Sequence, residues 1–141
     1  MRRCITCAAS LLQFGYSAML VVIGAVGIFT APWELATVFG IDPSAWPLGT
    51  QSTMFDQYRF LKSVELGAGL FCFAYRSSIM SGGRAAAVFL AIVGLGVGAR
   101  TWSWIIDGRP ANLFVIFLLL EACVFVVVAM HLRMSDAWKR T

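Results

Sequence analysis

The sequence predicts an all-α protein: a bundle of four transmembrane helices with both termini in the cytoplasm and a short interfacial helix in the outer loop. Hydrophobic residues make up 60% of the 141-residue chain and charged residues 13%, with a mean hydropathy of +0.81. A soluble domain of this size cannot bury so much apolar surface. Four apolar segments are long enough to span a bilayer, and the basic residues are unevenly distributed between the loops.

These segments divide a single integral membrane domain, residues 1–141, into four expected helices. Helices are expected because backbone polar groups in lipid must be satisfied within the segment. Arg2 and Arg3 precede the first segment as they would in a secretory signal. Because its apolar run continues to about Phe29, we expect a retained helix instead. The helices are predicted at about residues 9–29, 56–75, 85–106 and 112–131.

The distribution of basic residues predicts the orientation of the chain. Residues 30–55 contain no Lys or Arg, and the turn between the third and fourth helices contains only Arg109. Basic residues concentrate at the two termini and between the second and third helices, which places those regions in the cytoplasm. They are Arg2, Arg3, Arg76, Arg84, Arg133, Lys139 and Arg140.

Proline, glycine and aspartate organise the outer loop, residues 30–55. Pro32 suits the first position of a helix, and Gly40 suits the position just after a helix ends. We therefore predict a short helix between them that lies on the membrane surface. Asp56 is expected to be the N-cap of the second transmembrane helix.

Ionisable residues inside three of the apolar segments are the most informative feature of the sequence. Lys62 and Glu65 lie on the second helix, Arg100 on the third and Glu121 on the fourth. At about 1.5 Å per residue, each lies roughly 9–13 Å below the outer end of its helix. Such groups are costly in a membrane and need a partner or a role. We expect Arg100 to pair with Glu65 or with Glu121, with Lys62 nearby.

Two interpretations of these charges remain open. In the first, they are interhelical ion pairs that fix the packing of the bundle. In the second, they line a polar cavity, open to the outer side, that binds a ligand or a group of a partner protein. Because Arg59 and Arg109 add positive charge, an anionic head group suits such a cavity better than a cation. The candidate site residues are Arg59, Lys62, Glu65, Arg100 and Glu121.

Other kinds of site lack the residues that they require. Cys4 and Cys7 form a CxxC pair, but a zinc site needs two further ligands and a c-type haem site needs His after the second Cys. His131 is the only histidine and cannot supply a pair of haem ligands. No nucleophile–histidine set, phosphate loop or basic stripe for nucleic acid appears. We predict no cofactor, no metal, no nucleic-acid partner and no enzymatic activity.

Small residues recur along the third predicted helix and complete a GxxxG motif between Gly94 and Gly98. Small residues let helix backbones approach closely in lipid. The stripe is therefore expected either to pack inside the bundle or to form a dimer seam. Glycines on the first two helices that could face it are Gly24, Gly27, Gly67 and Gly69.

A family resemblance covers most of the chain. Residues 56–61, followed by residues 65–70, resemble the second helix of a small bacterial family of four-helix membrane proteins catalogued only as a domain of unknown function. Arg100, the turn at residues 108–110 and Glu121 extend the resemblance. It implies a multi-pass protein of the bacterial inner membrane and implies no known activity.

Two classes of function remain. The chain is almost entirely membrane-embedded by prediction, has short loops and carries no catalytic set. We therefore expect a non-enzymatic accessory or structural subunit of a larger bacterial membrane complex, with the lipid bilayer and other membrane protein subunits as partners. The alternative is a binder or transporter of a small anionic or lipid-like molecule that uses the intramembrane charges.

Overall fold

The computed structural model describes residues 2–135 and confirms the all-α prediction. Lys139 and Arg140, which contribute to the predicted orientation, lie outside the described residues, as does the side chain of Arg2. A 3-10 turn, Pro43–Ala45, follows the first helix. The α-helices are α1 (Arg2–Thr37), α2 (Leu48–Ala74), α3 (Arg76–Ser81), α4 (Arg84–Asp107) and α5 (Asn112–Met134).

Three of the described helices, α1, α4 and α5, are long and apolar enough to cross a membrane, judged by length and composition. Helix α2 is also long, but Asp56, Arg59, Lys62 and Glu65 follow one another within three turns and lower its hydropathy. The fourth crossing and the orientation stay predictions, as does the single membrane domain.

The prediction of a separate helix between Pro32 and Gly40 is wrong, because α1 continues through Pro32 to Thr37. Proline has no backbone N–H, so the carbonyl of Ile28, four residues earlier, has no helical donor. Arg59 Nε donates to that carbonyl at 3.3 Å. The side chain of Arg59 thus satisfies the group that a helix-interior proline leaves open.

Gly40 stops a helix as predicted, but the helix that it stops is α1. Its φ of +67° lies in the left-handed region, which glycine adopts without strain. The Ile41 N–H then donates to the Leu35 carbonyl at 2.9 Å, which satisfies one of the carbonyls left open at the end of the helix. The chain leaves α1 through this turn.

The assignment of Asp56 as an N-cap is also wrong, because α2 begins at Leu48. Pro47 precedes the helix, and its carbonyl accepts from the Gln51 N–H at 3.0 Å in the first turn. No proline follows inside α2 to end the helix early. In the preceding turn, the Ser44 hydroxyl and backbone N–H donate to the Asp42 carboxylate, which lowers the pKa of Asp42.

The chain divides into two compact units, Ser17–Phe71 and a second made of Met1–Tyr16 with Cys72–Thr141. In the larger unit, α4 packs along α5 and α3 contacts both. Its core includes Phe89, which meets Tyr16 edge-to-face with 6.4 Å between ring centroids. Gln13 is fully buried there and donates from Nε2 to the Cys72 carbonyl at 2.9 Å.

In the smaller unit, residues 17–71, glycines bring α1 and α2 into backbone contact. A Cβ added at Gly24 would lie 2.5 Å from the Leu66 nitrogen, and one at Gly69 would lie 2.8 Å from the Val21 nitrogen. The sequence suggests the stripe on α4 as the neighbour of these glycines. The atoms nearest to Gly24 and Gly69 belong instead to the other helix of the same unit, which these small residues allow to approach closely.

Candidate functional site

The predicted site residues form two separate constellations, one in each unit. The Arg100 site comprises Arg100 and Glu121, which lie in the larger unit. The Lys62 site comprises Glu34, Tyr58, Lys62 and Glu65, which lie in the smaller unit. That all five predicted residues belong to one cluster stays a prediction.

Arg100 and Glu121 form a two-point ion pair, which confirms one of the two expected partners of Arg100. Nε of Arg100 donates to Oε2 of Glu121 at 3.0 Å, and Nη2 donates to Oε1 at 3.4 Å. Only 8% of the Glu121 side chain is exposed, compared with 32% of the Arg100 side chain. A guanidinium that binds both oxygens of a carboxylate fixes orientation as well as charge.

The short connection between α4 and α5 explains why this pair was predictable. Gly108 turns the chain with a φ of +91°, and α5 begins at Asn112. Arg100 lies roughly 10 Å before the end of α4, and Glu121 roughly 13 Å after the start of α5. Adjacent helices joined by such a turn therefore bring the two side chains to a similar level.

The guanidinium of Arg100 also lies over aromatic rings. Its Cζ atom is 5.9 Å from the centroid of Phe114 and 5.8 Å from that of Phe117, within the range of cation–π attraction. A cavity of about 260 Å³ opens beside it. Its walls are Arg100, Ser103, Pro110, Phe114 and Leu118.

The Lys62 site is built around one buried amine and two carboxylates. Nζ of Lys62 lies 3.0 Å from Oε2 of Glu65, one helical turn away, and 3.7 Å from Oε2 of Glu34 on α1. Only 7% of the Lys62 side chain is exposed. The amine also lies 5.2 Å from the centroid of the Tyr58 ring. Lys62 is thus the partner of Glu65 inside this unit.

Glu34 is absent from the residues predicted from the sequence. The Tyr58 hydroxyl donates to its Oε2, and the Thr30 hydroxyl lies 2.8 Å from its Oε1. The error follows from Pro32: a helix that begins there places Glu34 in the outer loop, whereas a continuous α1 turns it toward α2. The spacing of Thr30 and Glu34, one helical turn apart, was the available signal.

Arg59 takes no part in either ion pair within the part of the chain that the structure describes. It donates to the Ile28 carbonyl, and its guanidinium lies 5.7 Å from the centroid of the Phe55 ring. Arg109, the other arginine expected to add positive charge to the predicted cavity, donates to the Asn112 side chain at 3.1 Å. Both arginines therefore serve local structure at helix ends or breaks.

The two sites differ in charge balance and contain no metal-binding set. Arg100 and Glu121 neutralise each other, whereas Lys62 faces two carboxylates. Among residues 3–135, no three His, Cys, Asp or Glu side chains lie close enough to hold a metal ion. Cys4 and Cys7 are free and exposed. The arrangement is suited to holding helices together and, beside Arg100, to receiving a small group in a cavity.

Comparison with known proteins places the chain in a family without assigning it an activity. No curated protein and no solved structure matches it. One family model matches residues 10–132, which cover all of α2, α3 and α4 and most of α1 and α5. The chain therefore belongs to the family described as "Domain of unknown function (DUF4345)".

Proposed function

We propose that this chain is a non-enzymatic accessory or structural subunit of a larger bacterial membrane complex. The observation that carries the proposal is that the charges on its long apolar helices are paired inside the chain. Arg100 binds Glu121, and Lys62 binds Glu65 and Glu34. Charges that are paired within the chain can hold its helices in register, and they leave apolar side chains for contact with other membrane helices.

The same pairing supports α2 as a fourth membrane helix of an inner-membrane protein with both termini in the cytoplasm. An isolated Lys or Glu at this depth would oppose insertion of α2. Lys62 and Glu65 lie 3.0 Å apart on adjacent turns, so they enter as a pair, and Glu34 supplies a further partner from α1.

A cysteine placed in the outer turn tests this orientation. We expect Ser44→Cys, in a background without the exposed Cys4, Cys7 and Cys123, to react in intact spheroplasts with a maleimide that cannot cross membranes. Reaction only after the inner membrane is opened would contradict the proposed topology.

Helix α5 offers the surface through which the subunit would dock. Four large apolar residues lie exposed along one face at spacings of three, seven and four residues, which is a helical stripe. A partner helix would recognise such a stripe by shape, because in lipid no hydrophobic force selects it. The residues are Ile116, Leu119, Val126 and Met130.

Gentle detergent extraction followed by native electrophoresis tests the subunit proposal. We expect the wild-type chain to migrate with a larger assembly and Val126→Trp on α5 to migrate alone while still folded. Val22→Trp is the matched control, because Val22 on α1 is similarly exposed, at 59% compared with 52% for Val126. A wild-type chain that migrates without partners would contradict the proposal.

A second candidate function is the binding or transport of a small anionic or lipid-like molecule. The observation that favours it is the cavity of about 260 Å³ beside Arg100, whose side chain is about one-third exposed despite its ion pair. A subunit that serves only packing has no need of such a cavity.

A further inference from the structure

The cavity beside Arg100 presents a hydrogen-bond donor that the ion pair leaves unused. Both hydrogen bonds of Arg100 go to Glu121, from Nε and Nη2. Within the described part of the chain, Nη1 therefore remains available, and the side chain lines the cavity. A guanidinium has five N–H donors and no acceptor, so the group that complements it must be a hydrogen-bond acceptor.

The charge around the cavity favours a neutral acceptor over an anion. Glu121 already compensates the positive charge of Arg100. The hydroxyl of Ser103, another wall residue, donates to the Asp107 carboxylate at 2.8 Å, which brings further negative charge to the rim. Arg109, which precedes the wall residue Pro110, is matched in number by Asp107, so an anion entering here would find no net positive charge to replace its hydration.

The remaining walls fit an apolar chain. Pro110, Phe114 and Leu118 contribute only hydrocarbon side chains to the cavity. Phe114 and Leu118 lie one turn apart on α5, so together they form an apolar strip along that helix. A flexible acyl chain in the cavity can lie along this strip and matches its polarity.

The position of the cavity along α4 narrows the choice of ligand. Arg100 lies roughly 10 Å from the Asp107 end of α4, and Pro110 lies beyond that end. The cavity thus extends from the level of Arg100 to the end of the helix. In the proposed membrane arrangement, it crosses the boundary between the hydrocarbon core and the interface, where the ester carbonyls of membrane lipids lie.

We propose that this cavity binds one ester-linked membrane lipid, with an ester carbonyl accepting a hydrogen bond from Arg100 and an acyl chain lying against Phe114 and Leu118. This inference rests on the second candidate function, whose ligand class it names, and is independent of docking to a complex. Recognition depends on the carbonyl and not on the charge of the head group.

Competition between a diester and a diether lipid tests the proposal on the unmodified chain. The purified chain is delipidated, then incubated with equal amounts of dioleoyl phosphatidylcholine and its dialkyl ether analogue, and bound lipid is counted by native mass spectrometry. The two lipids share a head group and differ in the carbonyls. We expect one bound lipid per chain and about tenfold preference for the diester, as for loss of a hydrogen bond to a charged group.

Two tryptophan variants locate the site. Leu118→Trp fills the cavity and should reduce bound diester lipid to the level of the diether. Leu95→Trp, at an exposed position of α4 that is not part of the cavity wall, should retain the wild-type preference. If Leu118→Trp does not fold, the diester and diether comparison on the wild-type chain still decides the question.

A phosphatidylglycerol competitor separates this inference from the broader proposals. Equal retention of phosphatidylglycerol and phosphatidylcholine diesters is expected. Preference for the anionic head group without preference for the diester would overturn the inference while preserving the second candidate function as an anion binder. Equal binding of diester and diether, or no bound lipid, would overturn the inference and leave the subunit proposal to the electrophoresis experiment.

Discussion

The Arg100 site and the Lys62 site solve the same problem, a charge on an apolar helix, with different balances. Arg100 meets one carboxylate and remains about one-third exposed, whereas Lys62 is 7% exposed and lies between two carboxylates. The first site joins helices linked by a short turn. The second depends on α1 remaining helical past a proline. The Lys62 site, which is the more buried of the two, thus also depends on more features of the fold than the Arg100 site does.

The helix contacts in the two units also differ, and those in the unit with the Lys62 site are tighter. Beside the Lys62 site, Gly24 and Gly69 allow helix backbones to touch. In the larger unit, Gly94 and Gly96 on α4 face side chains of α5, not its backbone: an added Cβ would lie 3.1 Å from the Phe125 ring at Gly94 and 3.6 Å from the Glu121 carboxylate at Gly96. A side chain can shift and a helix backbone cannot, so the smaller unit tolerates less change.

Removing the buried amine should have the largest effect. Lys62→Met leaves Glu34 and Glu65 facing each other without a cation. Breaking a buried pair costs about 3–5 kcal/mol, and membrane interactions measure toward the lower end. Thermal unfolding in detergent should show a larger loss than for Arg100→Leu, which strands one carboxylate. The double variant Lys62→Met/Glu65→Gln should recover part of the loss. An equal or smaller loss than for Arg100→Leu would break the comparison.

Adding a methyl group where the backbones of α1 and α2 touch should have the next largest effect on stability. Gly24→Ala places a methyl group 2.5 Å from the Leu66 nitrogen, so α1 and α2 must separate, at a cost of about 1–3 kcal/mol. Gly94→Ala should cost less, because the Phe125 ring can rotate away. Gly67→Ala is the control, since nothing lies within 4 Å of its added Cβ, and it should be neutral or stabilising. Equal losses for Gly24→Ala and Gly67→Ala would refute the close approach.

Removing the hydrogen bond that Arg59 makes beside Pro32 should have the smallest effect on stability. Arg59→Met removes the donor to the Ile28 carbonyl and should lower the free energy of unfolding by about 1 kcal/mol. In a Pro32→Ala background, the new backbone N–H reaches the same carbonyl, so Arg59→Met should change little. Thermal unfolding of the four proteins in this double-variant cycle measures the coupling. An equal effect of Arg59→Met with Pro32 and with Pro32→Ala would contradict the role of Arg59 beside the proline.

Composition and hydropathy were sufficient to predict the helical class and the third helix, expected at residues 85–106 and observed as Arg84–Asp107. Composition and hydropathy were insufficient where one residue is compatible with two different positions in a helix. Pro32 suits a helix start by local preference, and only a donor from another helix, Arg59, makes the interior position favourable. Arg59 lies 27 positions after Pro32 and 31 positions after Ile28, whose carbonyl accepts its hydrogen bond. The sequence around Pro32 therefore gives no sign of this donor.

Dependence on distant residues also explains why one part of the candidate site was predictable and another was not. The level of Arg100 and Glu121 follows from counting residues on either side of a short turn, so their pairing was predictable. Glu34 was not, because its position depends on α1 continuing past Pro32. The short helix α3 was missed as well: Gly82 and Gly83, with φ of +95° and +87°, mark its end, but six residues carry no periodic signal.

The charges of the Arg100 and Lys62 sites are held by partners within the chain. A double-variant cycle of Arg100→Leu and Glu121→Gln, followed by thermal unfolding in detergent, tests this pairing most directly. Arg100→Leu alone should lose about 3 kcal/mol, because it strands a buried carboxylate. The double variant should recover part of that loss, with a coupling of about 0.5–3 kcal/mol. Additive losses from the two substitutions, with no coupling, would contradict the pairing.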